Sequence, residues 1–575
     1  MIKIGSSPKG YTQEADKALT PQETVEKVTG ALNQHGQAIL KKIKRIDTGR
    51  LGIPVYFSYY GVRARDMGVP KRQQMGKGVS PAQAQCSALM ELIERYSFFS
   101  FVSSDENFIR LSWKKARSRW GDQLIPTAEI IKSVQEDISR QQAEEVLDLI
   151  QWRFTPALNV YEARQEYVPL DWFKKLSEFN GSSAGNTLEE SILQGACELV
   201  ERHVSAIVDK EHLQIPTINQ ESIKSPVLRD LLDRFSRHNI KVWLKDMSLG
   251  YPVPTVGALA YDPGTFPGLS EIVFTAGTAT SPEMAAIRAL TEVAQLAGDF
   301  HTGSNYEASG LPKFTTLKET GWLTRGPVTD ISSLPDISRP DMGRELMELS
   351  RGLKLMGYSL YSVSTMHPDL EIPANYSFVP GFLFRERTPR ASIGMFAGRI
   401  LAEEEDPIAA AGKLEQLKKI YPDASFLPFY QGMNLLRQEE HQQAAKYFAR
   451  AESLQPDSES RGLSAFYSAY ALSGLHRWPE TIEHLNRAIE LDPLVKEYFN
   501  LRGVAYFKQK DYEHAIDDFQ KALQLDSGSV MDMFNLAVCY KELGRRNAAA
   551  EMLQKVLTID PGLEKARRFL EEMEN

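Results

Sequence analysis

Three cysteines in 575 residues, Cys86, Cys197 and Cys539, are too few and too scattered for a disulfide framework or a thiolate metal site. They read as reduced, structural thiols. No apolar run approaches the about 18 residues that cross a bilayer. The N-terminal MIKIGSSPKGYTQEADK has no apolar signal-peptide segment. A cytoplasmic protein without membrane contact is therefore expected. Basic excess is lacking too: 67 Lys and Arg stand against 75 Asp and Glu, a formal net charge of −8, which argues against a general nucleic-acid binder. The common phosphate-cradling loops are missing, since neither GxxxxGK[ST] nor a strand followed by GxGxxG occurs.

What remains is the composition of a soluble globular protein, 42% apolar and 25% charged, on a chain too long for one core. The C-terminal third is the most regular part. Moving KEYFNLRGVAYFKQKDYEHAIDDFQKALQLDSGS forward by 34 residues places Gly503 on Ala537, Tyr506 on Tyr540, Ala515 on Ala549, Ala522 on Val556 and Asp526 on Asp560. Moving it back by 34 places Ala522 on Ala488 and Asp526 on Asp492. An earlier copy with Gly432, Ala444, Phe448, Ala451 and Pro456 is offset by 37, so a short insertion separates it. Small residues where paired helices touch, aromatics between them and a closing turn resemble tetratricopeptide repeats. Four units (425–458, 462–495, 496–529 and 530–563) and the polar LEKARRFLEEMEN make an all-α solenoid over 405–575. Its expected occupant is a peptide or partner protein; a homodimer and packing on the rest of the chain are the alternatives.

Residues 1–404 show no repeat. Helical segments alternate with β-rich runs such as IPVYFSYYGV, KVWLKDMS and SLYSVSTM, which predicts an α/β or α+β domain, taken as α+β, ending near the acidic AEEEDP at 402–407. Within it, SALMELIERYS is amphipathic inside out. At 100° per residue Ser87, Glu91 and Glu94 share one narrow stripe, while Leu89, Met90, Leu92, Ile93 and Tyr96 occupy most of the remaining circumference. In NTLEESILQGACELVERHV, Glu190, Gln194, Glu198 and Glu201 fall within about 80° of one another, with Asn186 one turn earlier. Arg288, Glu292 and Gln295 repeat the arrangement in SPEMAAIRALTEVAQ.

One such stripe is usually a wet surface face; three on largely apolar helices point to convergence. Converging carboxylates stay ionised only with cations among them. An all-oxygen donor set suits Mg²⁺, which keeps waters and binds carboxylates together with substrate phosphates, so phosphoryl chemistry is indicated. Arg95, Arg202 and Arg288 can supply charge to phosphate oxygens, and each is equally compatible with being a counter-ion to a neighbouring Glu. GKGVSP at 76–81 places Lys77 on a Gly-flanked turn that can bring its ammonium to a phosphate; a plain turn is the alternative.

SALMELIERYS, ELVERH and RALTEVAQ, in that order and separation, resemble the YcaO superfamily, as does the late IPANYSFVPG. The family's nucleotide motifs fall on Ser87, Glu91, Glu94 and Arg95, then on Asn186, Glu190, Glu198, Glu201 and Arg202, and finally on Arg288, Glu292 and Gln295. The resemblance implies a YcaO-type ATP-binding domain over about residues 20–400, with ATP and Mg²⁺ as cofactors. The metal ligands would be Glu91, Glu94, Glu190, Glu198 and Glu201, and the catalytic residues Glu201, Arg288 and Glu292. It also implies an enzyme that phosphorylates the oxygen of a peptide backbone amide, after which an azoline, thioamide or amidine forms. Azoline-forming members often end in a proline-rich tail that reaches the active site, whereas this chain ends EEMEN. Members with an extra repeat domain have been linked to methylthiolation of a ribosomal protein. An accessory role in which ATP sets how the repeats are presented is thus the alternative. No sulfur-handling motif is present, so sulfide would require a partner held by the repeats.

Overall fold

In a computed structural model the described residues are 3–35, 38–63, 73–303, 311–385, 391–526, 528–560 and 562–574. They form two compact units, Met1–Glu144 with Gln151–Ala391, and Glu145–Ile150 with Ser392–Asn575. Among the described residues no helix is long and apolar enough to cross a membrane.

The described residues of the first unit form three sheets. Strands β1 (Leu40–Arg45), β2 (Val55–Tyr60) and β3 (Gln73–Lys77) form an antiparallel meander. A second sheet runs in the order β11 (Val273–Thr278), β10 (Thr255–Tyr261), β9 (Lys241–Asp246), β8 (Thr217–Asn219) and β12 (Val328–Asp330). The third runs β4 (Ile109–Leu111), β5 (Trp152–Asn159), β13 (Tyr361–Ser364), β14 (Ala374–Phe378) and β7 (Ser182–Ala184), with β6 (Arg164–Pro169) beside β5. Strands β10, β11 and β14 are almost wholly buried and read as continuous apolar or small-residue runs, as strands covered on both faces do.

Five helices of this unit matter for the site: α1 (Pro21–Asn33), α2 (Pro81–Ser103), α3 (Leu188–Glu211), α4 (Pro282–Ala297) and α5 (Met342–Leu355). Helix α2 packs on β2, β3 and β7, α3 on β7, β14 and β11, and α4 on β10 and β11. Each of the three striped helices thus buries its apolar circumference against sheet and keeps one face free for the others. Burial against the sheets, rather than solvent, explains why these helices are apolar around most of their girth.

The second unit is helical. Its paired helices are Phe426–Arg437 with His441–Leu454, Ser458–Gly474 with Trp478–Leu491, Lys496–Lys508 with Tyr512–Leu525, and Val530–Glu542 with Arg546–Ile559; Glu564–Glu574 follows. The 37-residue spacing has a local cause. The first helix of the second pair has 17 residues against 13 in each of the next two pairs, so the insertion is taken up as one extra turn. Gly432 and Gly503 are where a Cβ would meet the Phe448 and Phe519 rings, at 2.8 and 2.9 Å. The small-residue positions of the repeat are therefore close helix contacts. Helix Ile393–Glu403 also packs within this unit, with Gly394 against the Tyr421 ring.

Candidate functional site

The three striped helices begin and are spaced alike. Ser80, Thr187 and Ser281 are their N-caps, all in extended conformation. Counting from each cap, the residue seven positions on is Ser87, Gln194 or Arg288, the next is Ala88, Gly195 or Ala289, the eleventh is Glu91, Glu198 or Glu292, and the fourteenth is Glu94, Glu201 or Gln295. Positions seven, eleven and fourteen lie within about 60° on a helix. The eighth position is small because the helix meets a strand there. A Cβ on Gly76 of β3 would lie 2.0 Å from Ala88 N, and one on Gly277 of β11 would lie 2.5 Å from Ala289 N. In α3 the arrangement is inverted: the glycine, Gly195, is on the helix and faces Ser183 Oγ, 2.7 Å from where its Cβ would sit.

These contacts point the stripes at one cavity of about 480 Å³. Lys77, Ser87, Glu91, Glu94, Arg95, Asn186, Glu190, Glu198, Glu201, Arg202, Arg288, Glu292 and Gln295 all line it. Lys77 is the one whose setting differs from the sequence expectation. It is the last residue of β3, paired with Val55, rather than part of a flexible turn. Its flanking glycines serve packing: a Cβ on Gly76 would strike α2, and one on Gly78 would lie 2.7 Å from Ala84 N.

Ion pairs organise the lining. Lys77, at the end of β3, pairs with Glu292 of α4. Arg95 Nη1 lies 3.0 Å from Glu94 Oε1, and Arg202 reaches Glu201 at 3.7 Å and Glu198 at 3.8 Å. Arg288 Nη1 donates to Gln194 Oε1 at 2.7 Å, and Gln295 Nε2 donates to the Met75 carbonyl at 3.5 Å. Thr278 N donates to Glu201 Oε2 at 2.9 Å, which fixes that carboxylate to the end of β11. Glu190 accepts from Ala18 N at 3.0 Å and from Asn186 Nδ2 at 3.4 Å, with Lys17 Nζ 3.5 Å away.

Among the described residues nine acidic side chains and only five basic ones line the cavity, and the titration behaviour follows. Burial, opposed by Arg95 and reinforced by Glu198 and Glu91, pushes the Glu94 carboxyl up to about 8. Burial likewise pushes Glu201 up to about 7 against Arg202, with Glu292 adding to the rise. Glu292 goes the other way: burial raises it, but Lys77, Arg202 and Arg288 outweigh that and hold it below the ordinary range. Among the described residues no three acidic, His or Cys side chains are grouped closely enough to hold a metal ion by themselves. An ion here would complete its shell with water or ligand oxygens, as Mg²⁺ does.

A measurable consequence concerns pH. A Glu94 carboxyl raised in the folded state binds a proton that the unfolded chain, near 4.5, has already released. Its favourable contribution is thus complete below that value and is lost as pH climbs towards about 8. In chelator and without nucleotide, Glu94→Gln is expected to melt with the parent at pH 5 and above it at pH 8–9. Parent and variant curves that stay parallel across this range refute the carboxylate-crowding account.

The site has a wall that the sequence patterns did not reveal. Residues Glu14–Lys17 and Leu19 line the cavity, and Glu345 of α5 joins them. Gly5 N donates to Glu189 Oε1 at 2.7 Å, Ser7 Oγ meets Thr187 Oγ1 at 2.8 Å, and Ser80 Oγ donates to Glu14 Oε2 at 2.8 Å. The N-terminal segment thus crosses the first turns of α2 and α3, and Lys9, paired with Asp16 and Glu345, ties it to α5. These partners lack common spacing, so no sequence periodicity marks them. Gln194 was legible as part of a stripe; its role in orienting Arg288 was not.

Comparison with known proteins agrees with this geometry. Residues 75–383 match the family described as YcaO cyclodehydratase, ATP- and Mg²⁺-binding, and residues 497–529 and 533–562 match tetratricopeptide repeats. An uncharacterized protein of Methanothermobacter thermautotrophicus is 30% identical over 378 residues, 64% of this chain and 94% of its own. The ribosomal protein S12 methylthiotransferase accessory factor YcaO of Escherichia coli is 28% identical over 98 residues, 17% of each chain. A solved structure described as a heterocyclase in complex with substrate and cofactor shares the fold, with a TM-score of 0.52 at 21% identity, covering 67% of this chain and 54% of that one. With its cavity framed by three equivalent helices inside the matched segment, this chain belongs to the ATP- and Mg²⁺-binding YcaO cyclodehydratase family and carries tetratricopeptide repeats after the family domain.

Proposed function

We propose that the protein uses Mg-ATP to activate a peptide backbone amide by phosphorylating its oxygen. The observation that carries this reading is the cavity whose acidic lining exceeds its basic one, with two carboxyls raised by burial. Glu91, Glu94, Glu190, Glu198 and Glu201 are the residues that would hold Mg²⁺, and the metal would supply positive charge between their carboxylates and the phosphate oxygens. Lys77, Arg95, Arg202 and Arg288 bind and orient the phosphates, and Asn186, Ser87 and Gln295 add neutral polar contacts. Glu201, Arg288 and Glu292 are assigned to the reacting end, where Arg288, held by Gln194, would offset charge on the transferring phosphoryl group and Glu292 keeps Lys77 in register.

An amide oxygen is a poor nucleophile, so rate must come from holding it in line with the γ-phosphorus and from offsetting charge as ADP leaves. The carbonyl carbon, now bearing a phosphate leaving group, is open to a neighbouring Cys, Ser or Thr side chain or to an external nucleophile. A second reading, an accessory role in another modification with ATP setting how the repeats are presented, is favoured by the Escherichia coli relative named as a methylthiotransferase accessory factor. In either reading the repeats bind a peptide or protein partner, and a homodimer is expected.

Two measurements test this. Saturating Mg-ATP is expected to raise the melting temperature by a shift that grows with the ratio of ligand to Kd, and ATP in excess chelator is expected to do little; equal shifts in both remove the metal-bridged site. Mass spectrometry of cellular peptides and ribosomal proteins, with and without the gene, then separates loss of one water from replacement of oxygen by sulfur. No change in either class leaves the accessory reading.

A further inference from the structure

The Arg95 guanidinium lines the cavity, but much of what holds it lies behind the cavity wall. Its Cζ sits 4.0 Å from the centroid of the Phe179 ring, and Nη1 donates to the Phe179 carbonyl at 3.4 Å and to Ser182 Oγ at 2.8 Å. Ser182 Oγ in turn donates to Glu94 Oε1 at 2.8 Å, so one hydroxyl bridges the acid and the base of the same stripe. Neither Phe179 nor Ser182 lines the cavity.

The turn that carries them is tightly confined. Glu178 and Gly181 have φ of 52° and 84°, Asn180 N donates to the Ser177 carbonyl at 2.9 Å, and Ser182 N donates to the Phe179 carbonyl at 3.0 Å. A Cβ on Gly181 would lie 2.3 Å from the Ser377 carbonyl oxygen of β14 and 2.9 Å from Leu199 Cδ2 of α3, and a Cβ on Gly195 would lie 2.8 Å from the Gly181 oxygen. The turn is therefore wedged between β14 and α3, one turn of helix from Glu198.

We propose that the Phe179–Ser182 turn is a positioning clamp that sets Arg95 and Glu94 of α2 against the Glu198–Glu201 stripe of α3. An unclamped arginine, with Glu91, Glu94 and Glu198 all nearby, would divide its time among several carboxylates. An aromatic face restricts a planar guanidinium to one orientation and excludes water from its far side. A phosphate then meets a preset donor instead of ordering one on arrival. The clamp rests on the Mg-ATP reading of the cavity.

The test is a double-mutant cycle on the full chain, read as Kd for Mg-ATP by titration calorimetry, with the apo melting temperature as the control for folding. Phe179→Leu is expected to leave the apo melting temperature near that of the parent and to weaken Mg-ATP binding about tenfold, while Phe179→Tyr, which keeps the ring, restores most of the affinity. In an Arg95→Lys background Phe179→Leu is expected to have little further effect, because the planar cation it orients is gone. Ser182→Ala gives an independent arm, with a smaller loss that is also absent beside Arg95→Lys. Additive losses, or equal losses for Leu and Tyr at 179, overturn the clamp. If in addition the parent binds Mg-ATP and Glu91→Gln abolishes that binding, the nucleotide site stands and only the clamp falls. A parent that does not bind Mg-ATP overturns both.

Discussion

Glu91→Gln and Glu201→Gln are each expected to weaken Mg-ATP binding by about a hundredfold or more, roughly 2.7 kcal/mol, without unfolding the apo protein. Both residues sit on stripes facing a cavity in which acids outnumber bases. The amide keeps the side-chain shape and removes one negative charge from a crowded set. For Glu201 the direction is sharpened by its burial, which already favours the protonated form in the protein without nucleotide. A neutral group there should leave apo stability equal to the parent's or slightly above it. A surface glutamate would behave differently, with a change within about 0.5 kcal/mol and nucleotide binding untouched. A glutamate acting only as counter-ion to its neighbouring arginine would give a third result, since neutralising it strands a buried cation and lowers apo stability. Melting curves with and without Mg-ATP, together with phosphate release, separate the three. Unchanged binding in both variants removes the stripes from the nucleotide site and leaves the family membership as a statement about fold.

The second large effect concerns folding. Gly76→Ala is expected to destabilise the first unit by more than about 4 kcal/mol, a large share of the about 5–15 kcal/mol that holds a typical domain. The added Cβ would lie 2.0 Å from Ala88 N and 2.4 Å from the Ala84 carbonyl oxygen, and both are backbone atoms of α2 that no rotamer change can move. Gly277→Ala meets the Ala285 oxygen at 2.4 Å and Ala289 N at 2.5 Å and should behave alike. Gly30→Ala on the exposed face of α1, where nothing lies within 4 Å, is the control, and it should stabilise by about 0.5–1 kcal/mol. Soluble yield and melting temperature read all three. A Gly76→Ala variant that melts with the parent would mean that β3 and α2 are not in close contact, and the alignment of Lys77 with the α4 stripe would lose its basis.

How far the sequence carried the structure depends on the kind of contact. Ser87, Glu91 and Glu94 were legible because a helix turns spacing into direction, and the same rule applied on α3 and α4. The repeats were legible because each unit packs on its sequence neighbours, so Gly503 and Ala515 mark a local contact wherever they recur. Lys77 was misread because glycines beside a polar residue look like a turn; here their missing Cβ lets a strand lie on a helix, and only a three-dimensional neighbour such as Ala88 distinguishes the two uses. The wall formed by Glu14–Lys17 was illegible for another reason. Several of its contacts run through main-chain atoms, such as Gly5 N to Glu189 and Ala18 N to Glu190, and a backbone donor leaves no trace in residue identity. Phe179 was illegible for a third reason: its ring meets Arg95 across 84 positions through a turn whose shape is set by β14 and α3.

The N-terminal segment also bears on how the molecule is made. Lys9 closes on Glu345, 336 positions downstream, and Ser7 N reaches the α5 cap Asp341 across 334. Contacts of such sequence separation form late, because the loop between their ends must close first. On the ribosome the first twenty residues emerge long before α5 exists to receive them, at about 5–20 residues per second. The cavity therefore gains its last wall only once Glu345 has been synthesised, and a nascent chain that ends between Ala297 and Met342 presents the three striped helix faces with one side open.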